Sequence, residues 1–478
     1  MIVKTDPSFI KSYLEDSSNL PNGHADKVVL PESIEEVCSC LREANAKKTP
    51  VTISGAGTGQ AGGRVPLGGI LLSMERLDVI RAIKRSVSGG YAVVEAGVSI
   101  RDLKRECEKE NLFYTYDPTE QGAFVGGTIA TNASGARSFR YGSTRRHVIG
   151  LKIVLAGGDV LELERGNNMA QGRALGVNAG NKRFNVKLPS YTMPDTKNSA
   201  GYYAKENMDI VDLFVGQEGT LGVIVEARIG LFEKPGGFFA SFIFFRSEIE
   251  AQEFATCASS AGPLSIEYFD KGCLELLRKK SGNVPARSVS AIFIEDEILE
   301  SEDAILSKWE GLLSKHAISL EDTWVAMSEK AHMDFLEKRR FIPEHMSEMA
   351  RASGFPKVST DLSVPKDRLH EMINFYKDHL DGEGIEYFIF GHIGDAHLHV
   401  NMLSSDDNSY DKSKRVQLEF VKKAISLGGT VSAEHGIGKT KKEFLKVQYG
   451  ARGVEEMIAV KKVLDPNLIM GRGNVFDC

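Results

Sequence analysis

Short apolar runs alternate with turn residues along the first half of the chain, a pattern typical of strands joined by loops. The stretch 30–48 predicts a helix, because its apolar residues recur on one face and Ser33 and Glu36 fit a capping box. The apolar run 50–54 predicts a strand that leads directly into the glycine-rich stretch 55–63. Backbone N–H groups in such a loop can bind a diphosphate, and a simple glycine-rich turn is the alternative.

A second loop of small residues, 122–135, has the composition of a segment that lies flat against a bulky ligand. Strands are predicted at 148–155 and 160–163, on either side of a Gly-Gly turn. Residues 166–200 show little periodicity and predict a long surface insertion. A regular apolar pattern resumes at 213–225.

The composition changes after Pro235-Gly236-Gly237, which marks a predicted domain boundary. Beyond this point glycines are fewer and helical patterns are longer. The predicted elements are strands at 239–245 and 291–295 and helices at 248–261, 301–316 and 453–464.

The overall composition narrows the class of protein. A chain of 478 residues is expected to form two or three domains, and its net charge of −6, without a basic block, argues against nucleic-acid binding. The six cysteines have no iron–sulfur spacing and fit a reducing compartment. The absence of a span of about 20 apolar residues predicts a cytoplasmic protein, or one peripheral to a membrane.

The stretch 391–401 contains three of the eleven histidines of the chain, His392, His397 and His399. Strand-forming runs on both sides of a Gly-Asp pair predict a hairpin with a loop at 394–397. In that register His392 lies opposite His399. Directly opposed Cβ atoms are about 5 Å apart, which is close enough for two imidazoles to share a metal ion.

A second short stretch, 432–439, adds a carboxylate and an imidazole. Glu434 could supply a third metal ligand, which leaves His435 free to act as a base. Two histidines and one carboxylate keep positions open for substrate, as a catalytic metal site requires. The spacing alone leaves two interpretations open, a metal site or unrelated polar residues around a turn.

Six motifs resemble those of one flavoprotein family. Three resemble the FAD-binding domain of the vanillyl-alcohol-oxidase type: PVTISGAGTGQAGG (50–63), VGGTIATNASGARSFRYGS (125–143) and VGQEGTLGVI (215–224). Three resemble the FAD-linked D-2-hydroxy acid dehydrogenases: GHIGDAHLHVN (391–401), SAEHGIGK (432–439) and DPNLIMGRGNVF (465–476). That group includes D-lactate, glycolate and D-2-hydroxyglutarate dehydrogenases.

The resemblance implies an α+β fold in three parts. A two-lobed FAD-binding domain is expected at 1–235, with an insertion near 166–198. A substrate-binding domain at 236–430 is expected to contain an antiparallel sheet flanked by helices. A C-terminal helical segment, 431–478, is expected to return to the FAD domain and complete the active site.

The resemblance also implies that FAD is bound with its diphosphate along 55–59 and its isoalloxazine against 117–135. No histidine occurs between Gly55 and Gly69, where some relatives attach the flavin, so non-covalent binding is expected. The implied cofactor-binding residues are Ser54, Gly55, Ala56, Gly57, Thr58, Gly59, Gln60, Pro118, Thr119, Gly126, Gly127, Thr128, Ala130, Thr131, Asn132, Gly135, Tyr141, Gly142, Glu218, Gly219, Gly222, Val223, Ile224 and Asn474.

In the substrate domain the resemblance implies a divalent metal held by His392, His399 and Glu434. Zinc is the first expectation, with iron or manganese as alternatives. His397 stands where many relatives have asparagine, and the sequence leaves its role open.

The resemblance assigns catalytic roles to three further residues. His435 matches the base. Arg339 is the best match for the arginine that holds the substrate carboxylate, with the adjacent Arg340 as an alternative. Lys357 precedes a segment that lines the site in relatives, and a surface lysine is the competing interpretation.

The implied reaction is oxidation of a small D-2-hydroxy acid to the 2-oxo acid, with a hydride passing to the flavin. D-Lactate is the first expectation, and glycolate and D-2-hydroxyglutarate are the alternatives. Electrons would leave to an external acceptor, which is a quinone, a cytochrome, an electron-transfer flavoprotein or a partner subunit. A homodimer is compatible with the sequence. The competing functions are an O2-using alcohol or sugar oxidase of the same fold and a flavin-binding electron-transfer subunit.

Overall fold

The structure is a computed structural model that describes residues 1–118 and 120–478. Within the first 235 residues its strands are β1 (Ile2–Lys4), β2 (Lys27–Leu30), β3 (Val51–Ser54), β4 (Ile70–Ser73), β5 (Ile80–Ser86), β6 (Gly89–Glu95), β7 (Leu112–Phe113), β8 (Val148–Val154), β9 (Val160–Glu164), β10 (Ala174–Ala179), β11 (Lys182–Lys187) and β12 (Val223–Glu233). The helices of this part are α1 (Pro7–Ile10), α2 (Ile34–Lys47), α3 (Ile100–Lys109), α4 (Val125–Ala130), α5 (Ser138–Tyr141), α6 (Thr144–His147) and α7 (Val211–Phe214).

Two sheets carry the glycine-rich loops of this part. One has the strand order β1-β2-β4-β3, with β3 parallel to β4, so the loop 55–63 leaves the carboxyl end of β3. The other has the order β5-β6-β12-β8-β9, with β7 alongside β12, and its strands are antiparallel. The chain reaches β12 through the loop 215–222, so all three glycine-rich motifs lie at the ends of strands or beside a short helix.

The second half has its own sheet. Its strands are β13 (Phe238–Phe245), β14 (Ser265–Phe269), β15 (Ser290–Glu297), β16 (Thr323–Ala326), β17 (Val358–Ser359), β18 (Leu362–Ser363), β19 (Glu386–Gly391) and β20 (His397–Leu403). Its helices, with the last ones of the chain, are α8 (Glu248–Ser260), α9 (Lys271–Ser281), α10 (Glu302–Lys315), α11 (Glu329–Ser353), α12 (Leu369–Glu383), α13 (Asp407–Ser426) and α14 (Lys442–Leu464).

The strands of the second half pair antiparallel in the order β16-β13-β15-β14-β19-β20-β17, with β18 also paired to β20. After α14 the chain returns to the first half, where the Val51 N–H donates to the Ile469 carbonyl and the Gly471 N–H donates to the Val51 carbonyl. The predicted α+β fold with a returning C-terminal segment is therefore confirmed. The domain boundaries at 235 and 430 stay predictions.

Most predicted elements are confirmed within a few residues of their ends, including α2, which the Ser33 side chain caps by accepting from the Glu36 N–H. The prediction for 166–200 was wrong in part, because this segment contains the hairpin β10–β11. The strand β10 buries alternate residues, Leu175, Val177 and Ala179. This alternation is present in the sequence, but it is short and it includes Gly176 and Asn178, which are more typical of turns.

A buried ion pair joins the two halves next to the glycine-rich loops. The Arg137 guanidinium donates to both carboxylate oxygens of Glu295 at 2.7 and 2.8 Å, and the His332 ring lies 2.7 Å from the same carboxylate. Burial alone would raise the pKa of Glu295, but the charge and hydrogen bonds of Arg137 outweigh burial and lower the pKa to about 2. The carboxylate is therefore ionised at neutral pH and fixes Arg137 between the halves.

Among residues 1–118 and 120–478, no helix combines the length and the apolar character needed to cross a membrane.

We expect Glu295→Ala to lower the free energy of unfolding by about 3 kcal/mol at pH 7, because Arg137 would stay buried without its partner. Chemical denaturation measures the change. The control is Glu162→Ala, which removes a carboxylate that is 71% exposed, and its effect should stay below about 0.5 kcal/mol.

The ion pair between Arg137 and Glu295 should also make the free energy of unfolding depend on pH. The pKa of Glu295 is about 2 in the folded protein against an ordinary value of 4.5, so its contribution is present above 4.5 and is lost as the pH falls towards 2. The stability gap between wild type and Glu295→Ala should therefore narrow over that range. A gap that stays constant down to pH 2 would contradict this account of the pair.

Candidate active site

A cavity of about 990 Å³ lies between the glycine-rich loops and the sheet of the second half. The loops approach each other closely, since a Cβ atom on Gly55 would lie only 3.8 Å from the Gly127 Cα. Small side chains on this wall leave space for a bulky, flat ligand. The predicted cofactor residues that line the cavity are Gly55, Ala56, Gly57, Thr58, Gly59, Gln60, Pro118, Gly126, Gly127, Thr128, Ala130, Thr131, Gly135, Glu218, Gly219, Gly222 and Ile224. Their contacts with FAD stay predictions.

Of the predicted cofactor residues within the described part of the chain, six do not line the cavity: Ser54, Asn132, Tyr141, Gly142, Val223 and Asn474. Their side chains or backbones are engaged elsewhere. The Tyr141 hydroxyl donates to Glu297, and Asn132 accepts from the Arg145 N–H. Thr119 lies outside the described residues.

Asn474 supports the cavity wall from behind. Its side-chain amide donates to the carbonyls of Gly63 and Glu218, both at 2.9 Å. It therefore ties the first glycine-rich loop to the third, although its side chain does not reach the cavity surface.

The opposite wall carries the histidine cluster, with a register that differs from the prediction. In the β19–β20 ladder Phe390, and not His392, lies opposite His399. His392 leaves the ladder before a short 3-10 turn at Ile393–Asp395, which the period-two pattern does not reveal. The two imidazoles still meet, with ring centres 5.7 Å apart.

Glu434 lies between the two rings. Its Oε2 is 3.4 Å from the His392 Nε2, and its Oε1 is 3.2 Å from the His399 Nε2. Atoms bound tetrahedrally to one ion at about 2.1 Å stand about 3.4 Å apart, so this spacing fits a divalent metal. The structure therefore brings together the three predicted ligands.

The outer nitrogens of both rings are fixed. The His392 Nδ1 lies 2.6 Å from the Glu267 Oε1, and the His399 Nδ1 lies 3.2 Å from the Thr360 carbonyl. Burial alone would lower the pKa of His392, but Glu267 and Glu434 raise it to about 9. The cluster thus favours a positive charge at this point, which a proton or a metal ion can supply. Metal-binding histidines commonly have such outer partners.

A lysine that sequence reasoning missed also reaches the cluster. The buried Lys197 ammonium donates to the Glu434 Oε2 at 2.7 Å, and it lies 3.9 Å from the Asp395 carboxylate. Burial alone would lower the pKa of Lys197, but Glu434 and Asp395 raise it, so this side chain is charged. It lies near the end of the polar stretch interpreted as an insertion, where no periodic pattern identified it.

Asp361, also missed, organises the segment around His435. Its carboxylate accepts from the Ser432 hydroxyl at 2.6 Å, the Lys441 ammonium at 2.7 Å and the Glu434 and His435 N–H groups at 3.1 and 3.0 Å. These bonds fix the direction of the turn that carries Glu434. Asp361 belongs to the segment after Lys357 that lines the site in relatives, but nothing in the sequence identified this aspartate as the shared acceptor.

His435 lines the cavity beside the cluster. Its Nδ1 lies 3.5 Å from the Asp361 Oδ2, and its Nε2 lies 3.5 Å from the Glu434 Oε1. Burial lowers the pKa of His435 to about 4, so the ring is neutral at pH 7 and can accept a proton. The next turn is held by the Glu218 carboxylate, which accepts from the N–H groups of Ile437 and Gly438 at 2.8 and 2.7 Å.

Two predicted cations also line the cavity. The Arg339 guanidinium donates to the Glu267 Oε2 at 3.2 and 3.3 Å, so one carboxylate orients both Arg339 and His392. Burial alone lowers the pKa of Lys357, since no carboxylate in the described residues acts on it. The alternative Arg340 does not line the cavity and approaches Asp117 at 3.9 Å.

Models of two known families match the chain. The model described as "FAD binding domain" matches residues 25–164, and the model described as "FAD linked oxidases, C-terminal domain" matches residues 240–475. Together they span both walls of the cavity. The fold is also similar to a solved alkyldihydroxyacetonephosphate synthase, with a TM-score of 0.70 at 16% identity, over 98% of this chain and 82% of that one.

Curated relatives match nearly the whole chain. A glycolate oxidase subunit GlcD of Bacillus subtilis is 29% identical over 97% of this chain and 92% of its own. A D-2-hydroxyglutarate dehydrogenase of Stutzerimonas stutzeri is 30% identical over 99% and 96%, and a D-lactate dehydrogenase of Archaeoglobus fulgidus is 30% identical over 94% and 90%. The chain therefore belongs to the FAD-linked oxidoreductases of the D-lactate, glycolate and D-2-hydroxyglutarate dehydrogenase type.

Proposed function

We propose that this protein oxidises a small D-2-hydroxy acid to the corresponding 2-oxo acid and passes the electrons to an external acceptor. The observation that carries the proposal is the position of the His392, His399 and Glu434 cluster, which faces the glycine-rich loops across one cavity. The relatives named above act on D-lactate, glycolate or D-2-hydroxyglutarate, and the cations of this cavity suit such acids.

The two walls of the cavity suit two different groups, a flavin and a metal ion. The glycine-rich loops would hold FAD, and His392, His399 and Glu434 would hold a divalent metal, with zinc as the first expectation. When bound, FAD supplies a hydride acceptor and the metal supplies a Lewis acid for the substrate hydroxyl.

Arg339 and Lys357 are proposed to bind the substrate carboxylate. A guanidinium can hold a carboxylate through two parallel hydrogen bonds, which fixes the orientation of the acid. Glu267 already holds the Arg339 side chain in a defined direction beside His392. The carboxylate and the reacting carbon would then have fixed places in the cavity, and fixed geometry is a large part of catalysis.

His435 is proposed to take the proton of the substrate hydroxyl at its Nε2. The ring is neutral at pH 7, and its other nitrogen faces the Asp361 carboxylate, which would stabilise the charged ring once the proton arrives. Glu434 and Lys197 lie on the other side and keep the local charge nearly balanced. A positioned base of this kind contributes about 100-fold to 10,000-fold in rate.

We expect D-lactate, glycolate or D-2-hydroxyglutarate to bleach the flavin under anaerobic conditions, whereas L-lactate and L-2-hydroxyglutarate should not. In His435→Asn the rate constant for bleaching should fall at least about 100-fold with FAD still bound. The control is His370→Asn, an exposed histidine outside the cavity, which should react at the wild-type rate. Failure of every 2-hydroxy acid to bleach the wild-type flavin would overturn the proposal.

Removal of the metal should leave FAD bound but slow the reduction of the flavin by substrate. After chelation the protein should keep its FAD, because the proposed flavin wall is formed by the glycine-rich loops and the metal ligands lie on the opposite wall. Bleaching by substrate should slow at least about 100-fold and recover when zinc is added back. His392→Ala should behave like the chelated protein and not recover. A full rate in protein verified to be metal-free would remove the metal from the proposal but leave the substrate and the base.

Gly127→Leu tests the flavin wall. A Cβ atom on Gly127 meets no other atom within 4 Å, so the substitution is sterically compatible with the fold but fills the cavity. We expect a folded protein that has lost most of its flavin, measured as the ratio of visible to ultraviolet absorbance. Gly311→Leu is the control, because this glycine is also helical and a Cβ atom there is equally free, but the residue is exposed and does not line the cavity. Normal flavin content in Gly127→Leu would place FAD elsewhere.

A further inference from the structure

His397 is completely buried at the centre of the cluster, at the first position of β20. Neither of its ring nitrogens has a hydrogen-bond partner among the described residues. A buried polar atom without a partner destabilises a protein, and a core histidine that only fills space normally makes at least one hydrogen bond. Within the described part of the chain, both ring nitrogens of His397 therefore lack the hydrogen bond that a buried imidazole normally makes.

The orientation of the ring matches that of its two neighbours. In His392 and His399 one nitrogen lies against a carboxylate or carbonyl oxygen, while the other faces Glu434. In His397 the Nε2 lies 3.1 Å from the Asp361 Oδ1, although out of line for a hydrogen bond, and the Nδ1 faces the Glu434 Oε2 at 3.9 Å. A carboxylate behind an imidazole is the usual arrangement of a metal-binding histidine.

The distances around the ring agree with this orientation. Its centre is 5.3 Å from that of His392 and 4.5 Å from that of His399. One ligand atom from each of His392, His397, His399 and Glu434 can be chosen so that all four lie within 4.8 Å of one another. One ion could therefore contact all four side chains after small adjustments, which would bring the Nδ1 of His397 closer to Glu434.

We propose that His397 is a fourth protein ligand, through Nδ1, and that the centre is formed by three histidines and one carboxylate. The inference rests on the proposed function, because it concerns the same metal. A neutral imidazole carries one N–H and one lone pair, so a proton on the Nε2, beside Asp361, leaves the lone pair of the Nδ1 on the side of Glu434. Three imidazoles and a carboxylate suit zinc, iron or another first-row divalent ion, and the substrate hydroxyl would then need a fifth coordination position, which such ions can provide.

The direct test is X-ray absorption at the metal edge of the wild-type protein loaded with zinc. The outer-shell scattering should fit three imidazole rings, whereas a fit with two rings would overturn the inference. This measurement does not depend on any variant. A wild-type protein that binds no zinc at all would instead overturn both the inference and the metal part of the proposed function.

A second test uses His397→Asn, which keeps a polar side chain of smaller volume. We expect zinc affinity, measured by competition with a chromophoric chelator, to fall at least about 10-fold, with unchanged FAD content. The control is His147→Asn, another buried histidine but one outside the cluster, whose zinc affinity should not change. Equal zinc affinity in His397→Asn and wild type would overturn the inference while leaving the proposed function intact.

Discussion

The arrangement of the candidate active site depends on one buried carboxylate, that of Glu434. Taking a carboxylate out of water is costly unless cations and hydrogen-bond donors surround it. Here the surrounding groups come from distant parts of the chain, including Lys197 at 2.7 Å, His399 at 3.2 Å and the Ser134 hydroxyl at 3.4 Å. The Glu434 carboxylate is therefore the point at which three segments meet. They are the insertion with Lys197, the β19–β20 hairpin with His399 and the second glycine-rich loop with Ser134.

Hydrogen bonds also connect the histidine cluster to the glycine-rich loops. Ser134 belongs to the second glycine-rich loop, and its hydroxyl donates to the Glu434 carboxylate. Two residues beyond His435 the chain is held by Glu218 of the third glycine-rich motif, which accepts from Ile437 and Gly438. Hydrogen bonds thus connect the proposed base and the proposed metal ligand to the glycine-rich loops. These bonds position the two walls of the cavity relative to each other, and defined geometry favours reaction between bound groups.

The sequence predicted the parts of this site that depend on local patterns. Glycine-rich loops after strands and closely spaced histidines are such patterns, and they led to Gly55, His392, His399 and Glu434. The predicted hairpin register was wrong because Ile393–Asp395 form a 3-10 turn outside the ladder, and periodicity does not reveal such turns.

The groups that support these residues were not predictable, because their partners are far away in sequence. Lys197 and Glu434 are 237 residues apart, and His392 and Glu267 are 125 residues apart. A charged residue in a polar stretch is indistinguishable from a surface residue until the fold buries it. Asp361 illustrates this well, since its importance comes from four donors that the tertiary structure collects.

The most direct test of the central claim is a crystal structure of the FAD-loaded protein, with anomalous diffraction measured on both sides of the zinc edge. The account predicts a single strong anomalous peak within bonding distance of His392, His399 and Glu434. It further predicts that the isoalloxazine lies against residues 117–135 and faces that peak across the cavity. An anomalous peak elsewhere, or a flavin ring turned away from the histidine cluster, would contradict the account.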